Sequence, residues 1–122
     1  MKCIEIRLRM PGFHCWPTAP SPVEFLSARH RHTFHIRVRI EVEHSDRNVE
    51  FILFRKEVED FVWVRFGRDK DVNAVTFGNL SCEHIAEIIS NEMDIRGFEV
   101  REVGVSEDGE FEGIFINDPE AA

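Results

Sequence analysis

The chain has 122 residues, the size of one small domain, so we expect residues 1–122 to fold as a single unit. Fifteen Lys and Arg against twenty-three Asp and Glu give a formal charge of −8, which disfavours nucleic-acid binding because phosphates attract positive charge. No apolar run reaches the length of a membrane span, and the alternating N-terminus is not typical of a signal or transit peptide.

Two amphipathic strands are predicted first. Residues 3–10 alternate, with the apolar side chains on one face, and Pro11-Gly12 should end or bend this strand. Residues 15–28 are rich in proline and predict an irregular loop. Residues 32–43 alternate most clearly, with Phe34 to Val42 on a dry face and Thr33 to Glu43 on a polar face.

The middle of the chain changes to a helical period. A first helix is predicted by apolar residues at Phe51, Phe54, Val58, Phe61 and Val62. The charged segment Arg65 to Asp71 should be a loop. Ser81 is a good N-cap for a second helix, whose apolar stripe is Ile85, Ile88, Ile89 and Met93.

The C-terminal part predicts a hairpin. Phe98 to Val105 forms a third strand, and a slip of parity between Val100 and Val103 predicts a bulge. Asp108-Gly109 predicts the turn, Phe111 to Ile116 the fourth strand, and Asn117 to Ala122 a frayed tail. The fold class is therefore α+β. It has the order ββααββ, with a four-stranded antiparallel sheet of two hairpins and two helices packed on one face.

Three histidines form a candidate metal site. His30 and His32 share the parity of Phe34 and should face the helices, whereas His35 should face away. His14 follows the first strand on its apolar parity, so pairing of the two strands brings it near His30 and His32. Three imidazoles with an open fourth position are typical of catalytic zinc. The alternative is that these are solvated loop histidines.

The three cysteines, Cys3, Cys15 and Cys82, are odd in number and lack CxxC spacing. This pattern disfavours a disulfide framework and fits a reducing compartment. We therefore expect a cytoplasmic protein.

Several segments form a pattern that runs through most of the chain. In order they are His14, His30-Arg31-His32-Thr33-Phe34, Glu50-Phe51, Asn79-Leu80-Ser81-Cys82-Glu83, and Val103, Val105, Glu107, Ile114 and Phe115. Together they resemble the 6-pyruvoyltetrahydropterin synthase and 6-carboxytetrahydropterin synthase family, which has the tunnelling fold (T-fold). The resemblance implies one T-fold domain over residues 1–122, with zinc held by His14, His30 and His32.

The resemblance also implies a ligand and an assembly. Glu107 corresponds to the carboxylate that accepts hydrogen bonds from the pterin ring, which suits two parallel N–H donors. Glu83 is a second candidate for contact with a pterin or guanine-like ligand, unless it only faces the helix dipole. Subunits are expected to join edge to edge into a homo-oligomeric barrel built from trimers or tetramers.

Two catalytic elements of the family have no clear counterpart. The family's catalytic Cys lies just before the His-x-His segment, where this chain has Phe25 to Ala28. Its Asp-His pair lies between the helices, where this chain has acids but no His. Cys15, beside His14, and His84, in the second helix, are therefore the candidate catalytic residues.

Two functions follow as expectations. The first is a zinc-dependent lyase, similar to the family's synthases, that acts on a pterin such as dihydroneopterin triphosphate. The alternative is a non-catalytic or structural T-fold protein that binds zinc and a pterin or purine but has lost the usual Cys and Asp-His groups. A turnover assay discriminates between them.

Overall fold

The computed structural model describes residues 1–117 and contains two helices and one six-stranded sheet. The elements are β1 (Lys2–His14), β2 (His30–Val42), α1 (Phe51–Phe66), β3 (Arg68–Asp69), β4 (Ala74–Thr76), α2 (Cys82–Ile95), β5 (Glu99–Glu107) and β6 (Phe111–Ile116). A short 3-10 helix, Glu24–Ser27, lies in the proline-rich loop. Neither helix of this part of the chain has the length and apolar character that a bilayer span requires. The predicted tail lies outside the described residues beyond Asn117.

The sheet is larger than the sequence pattern predicted. The α+β class is confirmed, but β3 and β4 lie between the helices, where only a loop was expected. The four-stranded sheet and the order ββααββ are therefore wrong. The strand order is β3-β4-β1-β2-β5-β6, and β4 runs parallel to β1, which makes the sheet mixed. Strands of two and three residues are too short to show alternation, which explains why the pattern missed them.

Strand β1 continues through Pro11 and Gly12, although we expected it to end or bend there. Pro11 pairs with Thr33 of β2. The Thr33 N–H donates to Oδ1 of Asp108, and the Thr33 carbonyl accepts from the Asp108 N–H. Both backbone groups of Thr33 therefore face β5 rather than β1. The Pro11–Thr33 pair therefore exchanges no ladder bonds, and the missing proline N–H is not needed. This continuation carries His14 into the sheet.

The core lies between one face of the sheet and the two helices. Helix α1 packs on β1 and β4, and α2 packs on β5 and β6. Side chains that alternate along the strands fill this layer, as predicted; they include Leu8, Met10, Phe34, Ile36, Val38, Val103 and Val105. Helix α1 contributes Phe54, Val58 and Val62. The expected burial of Phe51 is wrong, because this residue lies at the exposed start of the helix.

Two local predictions are confirmed, and one of them positions the site. The register between β2 and β5 shifts between Arg39 and Ile40, at the expected bulge. Asp108 and Gly109 both have positive φ, 55° and 79°, and join β5 to β6 in a hairpin. This turn lies beside Thr33 of β2. It therefore brings the end of β5 close to the first residues of β2.

Candidate metal centre and adjoining cavity

Three histidines from β1 and β2 meet on the helix-covered face of the sheet. His14 pairs directly with His30, and its diagonal neighbour is His32, so the antiparallel register places the three imidazoles side by side. The ring centroids lie 4.6 to 5.6 Å apart. One ring nitrogen from each histidine lies within 4.8 Å of the others, a spacing at which they could hold one metal ion. His35 lines a groove on the opposite face with Arg9 and Arg37.

Each imidazole is oriented by an oxygen acceptor at its Nδ1. The pairs are His14 with the Leu80 carbonyl at 3.1 Å, His30 with the Ala28 carbonyl at 2.9 Å, and His32 with Asp108 Oδ2 at 2.6 Å. Carbonyl and carboxylate oxygens can only accept, so Nδ1 carries the hydrogen and Nε2 of a neutral ring presents a lone pair. Within residues 1–117, all three Nε2 atoms are buried and have no hydrogen-bond partner.

Glu107, the last residue of β5, faces this cluster. Its Oε1 lies 2.8 Å from Nε2 of His14, and its Oε2 lies 3.6 Å from Nε2 of His32. Burial lowers the pKa of His14, and the neighbouring His30 and His32 act in the same direction, against the Leu80 carbonyl and Glu107. The His14 ring is therefore neutral at neutral pH.

Asp108 contacts the histidine cluster, and the sequence did not single it out. Besides accepting from His32, its Oδ1 accepts from the Thr33 N–H at 2.9 Å, and its own N–H donates to the Thr33 carbonyl at 2.8 Å. The Thr33 N–H and His32 lower the pKa of Asp108, which keeps it ionised. The sequence marked this residue only as a turn. The contact with His32 joins residues 76 positions apart, and no local pattern reports such a contact.

The floor of the cluster is the buried ring of Phe34. Its centroid lies 5.1 Å from that of His14 and 6.0 Å from that of His32. A Cβ at Gly12 would lie 2.7 Å from the Phe34 ring and 2.8 Å from the Phe77 ring. The absence of a side chain at Gly12 therefore lets both rings pack beneath the histidines.

A cavity of about 680 Å³ adjoins the cluster. Besides His14, His30 and Glu107, its lining includes Cys15, Trp16, Cys82, Glu83, His84 and Phe111. The start of α2 reaches this cavity because β6 has a glycine beneath it: a Cβ at Gly113 would lie 2.4 Å from the Glu83 backbone nitrogen. The fold thus brings the candidate metal-binding, ligand-contact and catalytic residues of the sequence analysis to one place.

The candidate catalytic and ligand-contact residues differ in their surroundings. Cys15 is half-buried and directly follows His14, while His84 is exposed in the first turn of α2. Glu83 is also exposed, and hydrogen bonds from its own backbone N–H and from Ser81 lower its pKa. Those contacts favour its role at the helix start.

Cys82 has the most perturbed environment of the three cysteines, all of which are free thiols. Its Sγ lies 3.6 Å from Glu107 Oε1. Burial, followed by the negative charge of Glu107, raises the pKa of Cys82 to about 12. Cys82 therefore remains a protonated thiol at neutral pH.

Comparisons with known proteins identify the fold. No family model matches the chain, and no curated protein matches its sequence. Several solved structures match over nearly their whole length, and three of them are described here. An uncharacterized protein from Wolinella succinogenes has a TM-score of 0.63 at 11% identity, covering 96% of this chain and 98% of that one. The 6-pyruvoyl tetrahydropterin synthase of Caenorhabditis elegans has a TM-score of 0.63 at 12% identity, covering 96% of each chain.

A catalytic-residue mutant of Plasmodium vivax 6-pyruvoyltetrahydropterin synthase has a TM-score of 0.55 at 15% identity, covering 97% of this chain and 99% of that one. The chain therefore has the fold of 6-pyruvoyltetrahydropterin synthase structures, in a sequence that diverges widely from them. The resemblance found in the sequence is confirmed at the level of the fold.

Proposed function

We propose that this chain is a zinc-dependent protein that binds a pterin-type ring beside its three histidines and acts on it as 6-pyruvoyl- and 6-carboxytetrahydropterin synthases do. The proposal combines the fold with the chemistry of the cavity. The residues proposed to hold the metal are His14, His30 and His32.

The observation that carries the proposal is the state of the three Nε2 atoms. They converge, they are buried, and each presents a lone pair without a partner. A buried acceptor without a hydrogen bond costs about 1–3 kcal/mol, and a cation bound among the three removes that cost. Three imidazoles oriented through Nδ1 are the donor set that catalytic zinc takes. Bound there, zinc would polarise a hydroxyl or carbonyl oxygen of the substrate.

The cavity has features that suit a flat heterocycle. Its volume lies inside the range of roughly 300–1,000 Å³ typical of small-molecule sites. Trp16 and Phe111 offer aromatic surfaces for stacking. Glu107 and Glu83 offer carboxylates, and a carboxylate can accept from a ring N–H and the neighbouring amino group together.

Cys15 and His84 are the proposed proton carriers. Both line the cavity, and Cys15 is tied in place by its backbone N–H, which donates to the Gly78 carbonyl at 2.9 Å. The family's chemistry moves protons at carbon, which requires a general base beside the metal. Cys82 is not proposed for this role, because a thiol with a pKa of about 12 is rarely deprotonated at neutral pH.

A second candidate function is binding without catalysis. The Cys82 thiol, whose Sγ lies 3.6 Å from Glu107 Oε1, is held protonated by burial and by Glu107. Between the helices, where the family has its Asp-His pair, Asp69 is engaged with Arg29 at 2.7 Å instead. Both observations favour a protein that keeps the metal and the ring but not the usual proton-transfer groups.

The deciding experiment is incubation of the zinc-loaded protein with dihydroneopterin triphosphate. We expect slow conversion, below about one turnover per second, that is lost in His32→Ala and reduced in Cys15→Ala or His84→Ala. Ring binding with no conversion would favour the second candidate. Absence of both would remove the pterin assignment and leave the metal centre to be tested separately.

A further inference from the structure

We infer that the exposed face of α1 is an interface at which two copies of this chain pair, with their α1 helices antiparallel. The inference depends on neither the metal centre nor the pterin of the proposed function. The contact is also distinct from the exposed edge of the sheet at β6. Helix α1 packs on β1 and β4, whereas β6 lies beyond β2 and β5.

Helix α1 carries apolar side chains on two opposite faces. The face towards the sheet is the buried row Phe54, Val58 and Val62. On the other side, Ile52 and Val64 expose 72% and 86% of their surface, and Leu53 beside Ile52 is also exposed. Ile and Val are β-branched and do not favour a helix, so helix formation does not account for them. Apolar residues on both sides are typical of a helix that is covered on both sides.

The exposed row of α1 is complementary to itself. Its members lie four positions apart and are in turn apolar, cationic, anionic and apolar: Ile52, Lys56, Asp60 and Val64. The inner pair and the outer pair share one midpoint, at position 58. A second copy that runs in the opposite direction about a two-fold axis at this level therefore places its Asp60 against Lys56 and its Val64 against Ile52.

This pairing uses an ordinary geometry of helix packing. Residues four positions apart form a ridge that is inclined to the helix axis, and two helices that pack such ridges together cross at about 50°. This is the commonest class of helix contact in globular proteins. A two-fold axis presents the same ridge on both copies, as a closed dimer requires. The row from Ile52 to Val64 extends over about 18 Å of the helix.

The charges in the row favour a second copy over another partner. Nζ of Lys56 lies 3.0 Å from Oδ2 of Asp60 in the same helix, and both side chains remain largely exposed, at 70% and 60%. An exposed pair of this kind contributes little to the stability of a single chain. In the antiparallel dimer the four charges alternate in sign. A strongly acidic or basic partner would leave one of the two charges opposed by its own sign, whereas a second copy pairs both.

The test reverses one charge at a time and follows the mass of the protein by sedimentation at micromolar concentration. Asp60→Lys places Lys against Lys, and Lys56→Asp places Asp against Asp. Each variant alone should therefore lose the contact and show about half the wild-type mass. An equimolar mixture of the two variants should recover that mass, because the acidic row of one chain then faces the basic row of the other.

Two further variants serve as controls. Glu87→Lys makes the same charge change as Asp60→Lys at an exposed position of α2, and it should keep the wild-type mass. The double variant Lys56→Asp/Asp60→Lys restores opposite charges both within the helix and between the copies, so it should pair as the wild type does. Circular dichroism identifies a single variant that has not folded, and the double variant then carries the test.

Four results would overturn the inference. A wild type that sediments as one chain excludes the dimer. Wild-type mass in both single variants would leave the exposed face of α1 to a partner other than this chain. A loss of mass in Glu87→Lys would show a general effect of charge. Failure of both the mixture and the double variant to recover the mass would exclude the facing of Lys56 and Asp60 between copies.

Discussion

Nδ1 of His32 donates to Oδ2 of Asp108 across 2.6 Å, which joins the start of β2 to the turn that follows β5. Asp108 also accepts from the Thr33 backbone N–H through its other oxygen. One carboxylate thus fixes both the strand and the imidazole. It orients the ring so that Nε2 faces the other two histidines.

Replacing this carboxylate should weaken metal binding without removing a ligand. In Asp108→Asn, the amide oxygen can still accept from Thr33, and Asn tolerates the positive φ of this position. The amide nitrogen then faces His32 and favours the tautomer with hydrogen on Nε2, which removes a lone pair from the centre. We expect zinc affinity to fall by about 10- to 100-fold in a chelator competition.

Asp108→Ala separates the two roles of the residue. It loses the Thr33 contact as well, so it should lower both zinc affinity and the thermal midpoint, whereas Asp108→Asn should lower mainly the affinity. If Asp108→Asn bound zinc as tightly as the wild type, the positioning role of Asp108 would be excluded.

Cys82 should resist alkylation in the folded protein. Its pKa of about 12 means that the thiolate is scarce at pH 8 and appears only as the pH approaches that value. Iodoacetamide at pH 8 should therefore modify the exposed Cys3 well before Cys82, as followed by mass spectrometry of the peptides. Removing the nearby negative charge with Glu107→Gln should speed the reaction of Cys82. In denaturant, Cys3 and Cys82 should be alkylated at equal rates. Equal rates in the folded protein would contradict the burial and the nearby negative charge assigned to Cys82.

Gly12→Ala should destabilise the floor of the metal centre. The new methyl group would meet the buried rings of Phe34 and Phe77 at less than 3 Å, and overpacking of this kind costs about 1–3 kcal/mol of unfolding free energy. Urea unfolding measures the loss. If the clash with the Phe34 ring is the cause, Phe34→Leu should lower the free energy of unfolding by less in the Gly12→Ala background than in the wild type, because the smaller side chain relieves the clash. Strictly additive costs would point to a different cause.

Assembly into a homo-oligomer is a further expectation. Strand β6 forms one edge of the sheet and carries the exposed side chains of Phe111, Ile114 and Ile116. An exposed strand edge with apolar side chains invites pairing with another chain. Light scattering at micromolar concentration should report several chains, built from trimers or tetramers, and Ile116→Lys should reduce the mass. A wild-type monomer would contradict this expectation.

The sequence predicted the elements that have a long, regular pattern. The alternation in β2 was sufficient to assign the faces of His32 and His35, and the Ser81 cap located the start of α2, where its Oγ accepts from the His84 N–H. Short strands such as β3 and β4 have no such signal. The local pattern likewise could not predict that β1 would pass through Pro11, because this depends on where Thr33 makes its hydrogen bonds.

Part of the candidate site could likewise be predicted from local patterns, and part of it could not. His14 and His30 could be placed together from strand parity, because two paired strands fix which residues are neighbours. The positions of Glu107 and Asp108 depend on the register between β2 and β5, which pairs Glu107 with Phe34, 73 positions earlier in the chain. No periodicity within either strand determines that register. The resemblance singled out Glu107, but its 2.8 Å distance from His14 came only from the structure.

The central claim is that Nε2 atoms of His14, His30 and His32 hold one metal ion. The most direct test is a zinc titration of the metal-stripped protein against a chromophoric chelator, with His32→Ala and His35→Ala as a matched pair. The wild type and His35→Ala should each bind one zinc per chain with equal affinity, and His32→Ala should lose that binding. Equal loss of zinc in both variants, or no saturable binding in the wild type, would contradict the account.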